Sequence, residues 1–372
     1  MTKTALTFQQ YFSLDDDACI AKIHELKKQL GNELFILGHY YQRDEVYQFA
    51  DVTGDSLQLS FSAAKTDAKY IVFCGVHFMA EVADILTRPN QAVILPDLAA
   101  GCSMADMANL RAVQQCWDDL STVIDPDVSV TPVTYVNSAA DLKAFCGDHG
   151  GTLCTSSNAG PVVSWALGQR EKILFFPDQH LGRNTAYALG IPLSDMAVWD
   201  YKKPMGGLTP DQIRQAKVLL WDGYCSVHQR FKGEHVDAYL AKYPDAQVIA
   251  HPEACFEVCQ KAHHVGSTSY IIEKIKESAP GTRWLVATEL NLVNRLQEQF
   301  RAENKVVEFM APTVCMCSTM FRTDPQHLLW VLDNLAHGNI VNRVQVPAKI
   351  AESARHALSR MFDITQASTK AN

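Results

Sequence analysis

Three apolar runs in this chain each deliver a cysteine just past their end. AVILPDL leads to Cys102, VLLWDGY leads to Cys225, and VVEFMAPTV leads to Cys315 and Cys317. Open parallel sheets bind ligands at the carboxyl ends of their strands, so this pattern predicts three thiols in equivalent structural positions. No CxxC pair accompanies them. Three thiolates brought together from distant parts of a chain suit a metal cluster held where lobes meet.

The thiols limit the choice of metal. Three cysteines leave one iron of a 4Fe-4S cluster without a protein ligand, and such an iron is a Lewis acid for a substrate hydroxyl or carboxylate, which favours dehydration chemistry. Zinc is the rival, because His228 stands three residues after Cys225 and could complete a closed site. Structural zinc normally uses close cysteine pairs, which are missing here. Cys74, Cys116, Cys146, Cys154, Cys255 and Cys259 are expected to pack as small apolar residues.

Three kinds of group recur along the chain. A polar set follows the first strand of each segment: His39 and Tyr41, then Tyr135 and Asn137, then His251 and Glu253. A hydroxyl opens the second helix of each: Ser56, Ser156, and the pair Ser267 and Thr268. Acid-base groups, helix amino ends and soft metal ligands together describe a pocket for a small carboxylated or phosphorylated substrate beside a metal. Glu253 is the one carboxylate in the polar sets and is the expected general base, with Tyr41 and Tyr135 next in line. His228 is expected to polarise a substrate oxygen or bind phosphate. Taken singly, His39 would read as a core histidine and Ser267 as a helix cap. Asp178, His180 and Glu289 also end strands, where they either touch substrate or buttress the lobes.

The elements that position these groups follow from apolar periodicity. Residues 14–30 form an amphipathic entry helix behind an acidic first turn. Thereafter strands and helices alternate in an α/β pattern. The pattern recurs: His39 to Ser56 spans 17 residues, Asn137 to Ser156 spans 19, and His251 to Ser267 spans 16. Lobes are expected at residues 1–112, 113–232 and 233–372, packed around a central site, the last carrying additional carboxy-terminal helices. His39 to Cys102 spans 63 residues and His251 to Cys317 spans 66, against 88 from Asn137 to Cys225. The middle lobe therefore carries an insertion, expected at residues 183–216, which are rich in turn formers and read neither as a strand nor as one helix. The last helix is expected over residues 347–362, with a frayed end.

A chain of 372 residues, 47% hydrophobic and 20% charged, has the balance of a globular protein of two or three lobes. Its net charge of −8, with no basic block, disfavours nucleic acid and anionic membranes as partners. No apolar run nears the roughly 20 residues that span a bilayer, and the first residues lack signal-peptide order. A cytoplasmic location is expected. There, eleven cysteines, an odd number, are reduced thiols rather than a disulfide framework.

The motifs GHYYQ (38–42), GDSL (54–57), TYVN (134–137), TSSNA (155–159), PDQHLG (177–182), WDGYCSVH (221–228), AHPE (250–253), GSTS (266–269) and ATE (287–289) resemble the quinolinate synthase family of bacterial NAD biosynthesis, in unbroken order from about residue 34 to 362. The resemblance implies three homologous α/β/α sandwich lobes arranged pseudo-threefold around a central cluster. It implies condensation of iminoaspartate with dihydroxyacetone phosphate to quinolinate, phosphate and two waters, and functional coupling to the enzyme that supplies iminoaspartate. Carried across residue by residue, the ligands of a 4Fe-4S cluster with one open iron are Cys102, Cys225 and Cys317. Cys317 is preferred to Cys315 because it stands three residues before Met320, as the family's ligand stands before a methionine. Two other classes fit the thiols less well: a cluster-bearing redox or iron sensor, for which the chain offers no DNA-reading motif, and a zinc-dependent hydrolase or lyase.

Overall fold

Runs such as LFIL, YIVF, VTPV and KILF are apolar on both faces, the pattern of a parallel strand covered by helices on each side. The computed structural model describes residues 5–311 and 316–371, so Cys315 lies outside the described residues. Its strands are β1 (Leu34–His39), β2 (Val52–Gly54), β3 (Tyr70–Cys74), β4 (Ala92–Ile94), β5 (Val130–Tyr135), β6 (Thr152–Cys154), β7 (Lys172–Phe176), β8 (Met196–Trp199), β9 (Val218–Trp221), β10 (Gln247–Ala250), β11 (His264–Val265), β12 (Arg283–Ala287), β13 (Val306–Phe309) and β14 (Arg343–Val344).

These strands make three sheets ordered β14-β4-β3-β1-β2, β6-β5-β7-β9-β8 and β11-β10-β12-β13. Without β14 and β8, each sheet has the same order, with its first strand between its second and third and its fourth outside the third. Pairing within this shared set is parallel throughout. All the strands of one set therefore point their carboxyl ends to one edge, where the polar sets emerge. The α/β class expected from the sequence is the class observed.

The chain divides into two compact units. The first, residues 1–102 and 316–347, holds the first sheet; β14 is antiparallel to β4 at its margin. Its entry helix Asp16–Leu30 starts at Asp15, whose carboxylate accepts from Ala18 N–H at 2.7 Å. Ile23 of that helix, Ile36, Phe49 and Val72 share a core with Leu328 and Leu332 of helix Pro325–Ala336.

The second unit, residues 103–315 and 348–372, holds the other two sheets. Helix Ala348–Ala371 packs along helix Ala140–Asp148. Gly147 permits the approach: a Cβ there would lie 2.0 Å from the carbonyl oxygen of Ser353. No helix among the described residues is long and apolar enough to cross a membrane.

Several elements depart from expectation. β2 and β11 were not anticipated, because edge strands of three and two residues are too short to show a period. The stretch 183–216 is not turn structure throughout: helix Gln179–Ala188 runs into it, and Met196–Trp199 forms β8, parallel to β9 with Trp199 opposite Trp221. Its four residues sit between Asp195 and Asp200, a flanking that hides a strand. The last helix runs to Ala371, well past residue 362.

Gly147→Ala should destabilise the second unit by about 2 kcal/mol, the usual range of overpacking against backbone, measured as a lower urea midpoint. Gly168→Ala, in helix Ala159–Gln169 with nothing within 4 Å of the added methyl, is the control and should be neutral or stabilising.

Candidate functional site

A buried carboxylate organises the polar residues of the second unit. Glu253 sits in the turn that follows β10, closed by Ala254 N–H donating to His251 O at 2.9 Å. It is 4% exposed. Tyr135, the last residue of β5, reaches it from the neighbouring sheet and donates its hydroxyl to Oε1 at 2.6 Å. His228 stands on the short turn after β9, its Nδ1 2.9 Å from Oε2, a contact of proximity rather than of an aligned hydrogen bond. His251 Nδ1 lies 3.8 Å from Oε1, and the rings of His228 and His251 stack at 4.7 Å. Gly223 allows the exit from β9 to turn here, since a Cβ would stand 2.2 Å from Pro177 O.

The electrostatics have a definite sign. Burial alone would raise the Glu253 pKa, but the positive charge that His251 and His228 can carry, with the hydrogen bond from Tyr135, holds it well below the usual carboxylate range. Asp178 goes the other way: burial first, then the charge of Glu253, push it well above its ordinary value. Two buried carboxyls close together cannot both ionise cheaply, so Glu253 keeps the charge and Asp178 the proton.

Asp178 also has structural work. It caps helix Gln179–Ala188 by accepting from Leu181 N–H at 2.8 Å, and it accepts from the backbone of Cys225. Glu289 caps helix Leu290–Gln299 through Asn291 N–H and Leu292 N–H, and is fully buried. His180 is bonded through Nε2 to Gln229 at 2.8 Å, with Arg183 NH1 3.4 Å from Nδ1. Burial lowers its pKa to about 4.

The other expected substrate groups of this unit lie at the same kind of sheet edge. Asn137 follows β5, and its buried Oδ1 has no hydrogen-bond partner. Ser267 caps helix Thr268–Glu277 by accepting from Tyr270 N–H at 3.3 Å, and Thr268 is its first residue. Ser156 differs from expectation. It stands before helix Ala159–Gln169 in a turn where Asn158 Oδ1 accepts from Thr155 N–H at 2.7 Å, so it does not open the helix.

In the first unit, His39 ends β1 opposite Gly54 of β2. Its Nδ1 accepts from Tyr41 N–H at 3.1 Å and its ring meets that of Tyr41 edge-on at 4.8 Å. Ser56 is the first residue of helix Ser56–Lys65, capped by Asp55 through Gln58 N–H at 3.0 Å.

The ten described cysteines are outside disulfides. Cys19, Cys74, Cys116, Cys146, Cys154 and Cys259 are buried, whereas Cys102, Cys225, Cys255 and Cys317 are partly exposed. Cys255 thus departs from its expected place in the core. Burial pushes the Cys74 and Cys259 thiols up to about 12, which keeps them protonated. Cys102, Cys225 and Cys317 follow β4, β9 and β13, the fourth strand of the shared order in each sheet. Cys317 Sγ lies 3.4 Å from Thr319 Oγ1.

The ligand atoms of Cys225, His228 and Glu253 lie within 4.8 Å of one another, close enough to hold a metal ion. Against a closed zinc site, His228 faces Glu253 with Nδ1 and Thr288 Oγ1 with Nε2, at 3.4 Å, and Glu253 is engaged at both oxygens. Thr288, Gln229, Asn184 and the link from Asp178 to Glu253 escaped the sequence reading, because none lies at a spacing that distinguishes it from an ordinary helix or strand residue.

The family described as quinolinate synthetase A protein matches residues 21–363. The chain is 52% identical over 358 residues to the quinolinate synthase of Herpetosiphon aurantiacus, covering 96% of this chain and 95% of that one. It is 51% identical over 360 residues to that of Acidobacterium capsulatum, covering 97% and 96%. With that of Streptomyces coelicolor it shares 52% identity over 352 residues, covering 94% and 89%.

The depressed His180 pKa has a measurable consequence. The folded protein keeps this imidazole neutral to about pH 4, while the unfolded chain takes the proton near 6.5, so stability present above pH 6.5 is lost as pH falls toward 4. The loss should be on the order of 3 kcal/mol. Urea midpoints taken between pH 7 and 4 should fall less steeply in His180→Gln than in the wild type.

Proposed function

The chain belongs to the quinolinate synthetase A protein family, and on that premise we propose that it condenses iminoaspartate with dihydroxyacetone phosphate, giving quinolinate, phosphate and two waters. The observation that carries this reading is the buried carboxyl of Glu253, 2.6 Å from the Tyr135 hydroxyl and 2.9 Å from His228 Nδ1. A condensation that starts from a ketone phosphate needs a group that takes a proton from the carbon beside the carbonyl and returns it to oxygen. Glu253 is that base. Tyr135, within hydrogen-bond reach of it, relays or holds the proton, and His228 polarises the substrate oxygen.

Binding falls to the groups at the sheet edges. Asn137 offers an acceptor that the described protein leaves unmatched, and Ser267 and Thr268 with the amino end of their helix suit a phosphate or carboxylate. His251 and Ser156 complete the set in the second unit; His39, Tyr41 and Ser56 supply the corresponding groups of the first. The strand order shared by the three sheets supports reading the chain as three copies of one α/β unit, with boundaries near residues 112 and 232.

The donor chemistry fits a 4Fe-4S cluster. Cys102, Cys225 and Cys317 would hold it: they are partly exposed and equivalent in strand position, unlike the six buried thiols. When bound, it supplies an iron without a protein ligand, a Lewis acid for an oxygen that leaves as water. Cysteines outside disulfides, as the ten described ones are, suit the reducing cytoplasm. A producer of iminoaspartate is the partner such chemistry calls for.

Protein purified without air should show the broad visible absorption of the cluster and form quinolinate from the two substrates. Cys102→Ser, Cys225→Ser and Cys317→Ser should each lose both absorption and activity, while Cys315→Ser and Cys74→Ser keep both. Full activity of metal-stripped protein in air would sink the iron-dependent reading. Glu253→Gln should retain the absorption and bind ligand but lose turnover by about a hundredfold or more, the usual worth of a positioned base.

A further inference from the structure

We infer that Asn184 is a positioning residue for Glu253, holding the backbone on both sides of the carboxylate. This rests on the reading of Glu253 as the base. Asn184 lies in helix Gln179–Ala188, which follows β7 of the second sheet, and is 7% exposed. Its side chain crosses to the turn after β10 of the third sheet. There Nδ2 donates to Pro252 O at 2.8 Å and to Ala254 O at 2.9 Å, the two carbonyls that flank Glu253. The same nitrogen is 3.2 Å from Cys259 Sγ.

The chemistry fixes the orientation of the amide. Both partners are carbonyl oxygens, which only accept, so the nitrogen must face them. The amide oxygen is buried and makes no hydrogen bond. A buried acceptor left in that state costs roughly 1–3 kcal/mol, which an apolar side chain would avoid. The two donors are therefore what an amide offers at this position. The Cys259 thiol, kept protonated by burial, adds contacts to Ala254 O at 3.6 Å and His251 O at 3.8 Å.

The effect is mechanical. Glu253 hangs from a single turn, and the amide ties the residue before it and the residue after it to a helix of the other sheet. A turn held at both ends keeps the carboxylate 2.6 Å from the Tyr135 hydroxyl and 2.9 Å from His228 Nδ1. A displacement of about 1 Å at a reacting group costs on the order of a hundredfold in rate. Asn184 has both donors engaged by backbone, so it acts through Glu253.

The test is a mutant cycle on anaerobically purified, cluster-loaded protein. Asn184→Asp keeps the shape but turns a carboxyl toward the two carbonyls; Asn184→Ala removes the donors without that repulsion and serves if the first variant does not fold. Either should lower kcat by about 10- to 100-fold with KM for both substrates changed less than about threefold, and amide exchange in residues 251–255 should quicken. Placed on Glu253→Gln, whose residual turnover is followed over long incubations, the same change should cost less than about twofold more, because the group it positions is already gone. A kcat within twofold of wild type in the folded Ala variant, or a loss that multiplies in full in the double mutant, overturns the inference. Near-normal turnover of Glu253→Gln alone would overturn it together with the assignment of the base, whereas an inactive Glu253→Gln beside a normal Asn184→Ala would overturn this inference only.

Discussion

A carboxylate taken out of water must be met by donors or positive charge, or it takes up a proton instead. Much of the second unit is arranged by that requirement. Glu253 receives the Tyr135 hydroxyl from one sheet and is flanked by His228 and His251 from the loops after β9 and β10. Asp178, equally buried, is pushed well above its ordinary pKa by that burial first and by the charge of Glu253 second. The pair therefore sorts itself into one ionised and one protonated carboxyl, the division a base and its supporting residue need. Removing any donor from such a group would cost more than the contact is worth in isolation, since it leaves a charge stranded in the interior.

Parallel topology explains why these residues meet. With every strand of the shared order running the same way, each sheet opens its polar loops at one edge, and helices start there with their N–H groups unsatisfied. The same short polar side chains answer both needs. Asp55, Asp178, Ser267 and Glu289 cap helices at strand exits, and the groups proposed to bind substrate or to act on it stand within a few residues of these caps. Building the scaffold and lining the site are thus one operation at the carboxyl edges.

The parts legible in the sequence were those with a local signature. Cysteines after apolar runs, the recurring polar sets and the buried strands could be read because strand ends and hydrophobic runs are written in consecutive residues. Edge strands such as β2 and β11 could not, because two or three residues carry no period. β8 was hidden by the acidic residues at its ends. Asn184 was invisible for another reason: its partners Pro252 and Ala254 are remote in the chain, and an asparagine inside a helix announces nothing about what its amide touches. Ser156 shows the converse error, in which analogy with Ser56 and Ser267 placed a helix start three residues too early.

Neither compact unit is built from one continuous stretch. The first needs helix Pro325–Ala336 to cover its entry helix and β14 to flank β4, and the second needs helix Ala348–Ala371 to cover helix Ala140–Asp148. On a ribosome the larger, amino-terminal stretch of each unit would emerge before its closing piece. Ile23 and Ile36 would wait for Leu328, and the face at Gly147 for Ser353, exposing apolar surface of the kind that recruits chaperones. Completion is thereby left to the stretches beyond residue 315, so an early stop near residue 320 would leave both units unfinished instead of yielding one sound half.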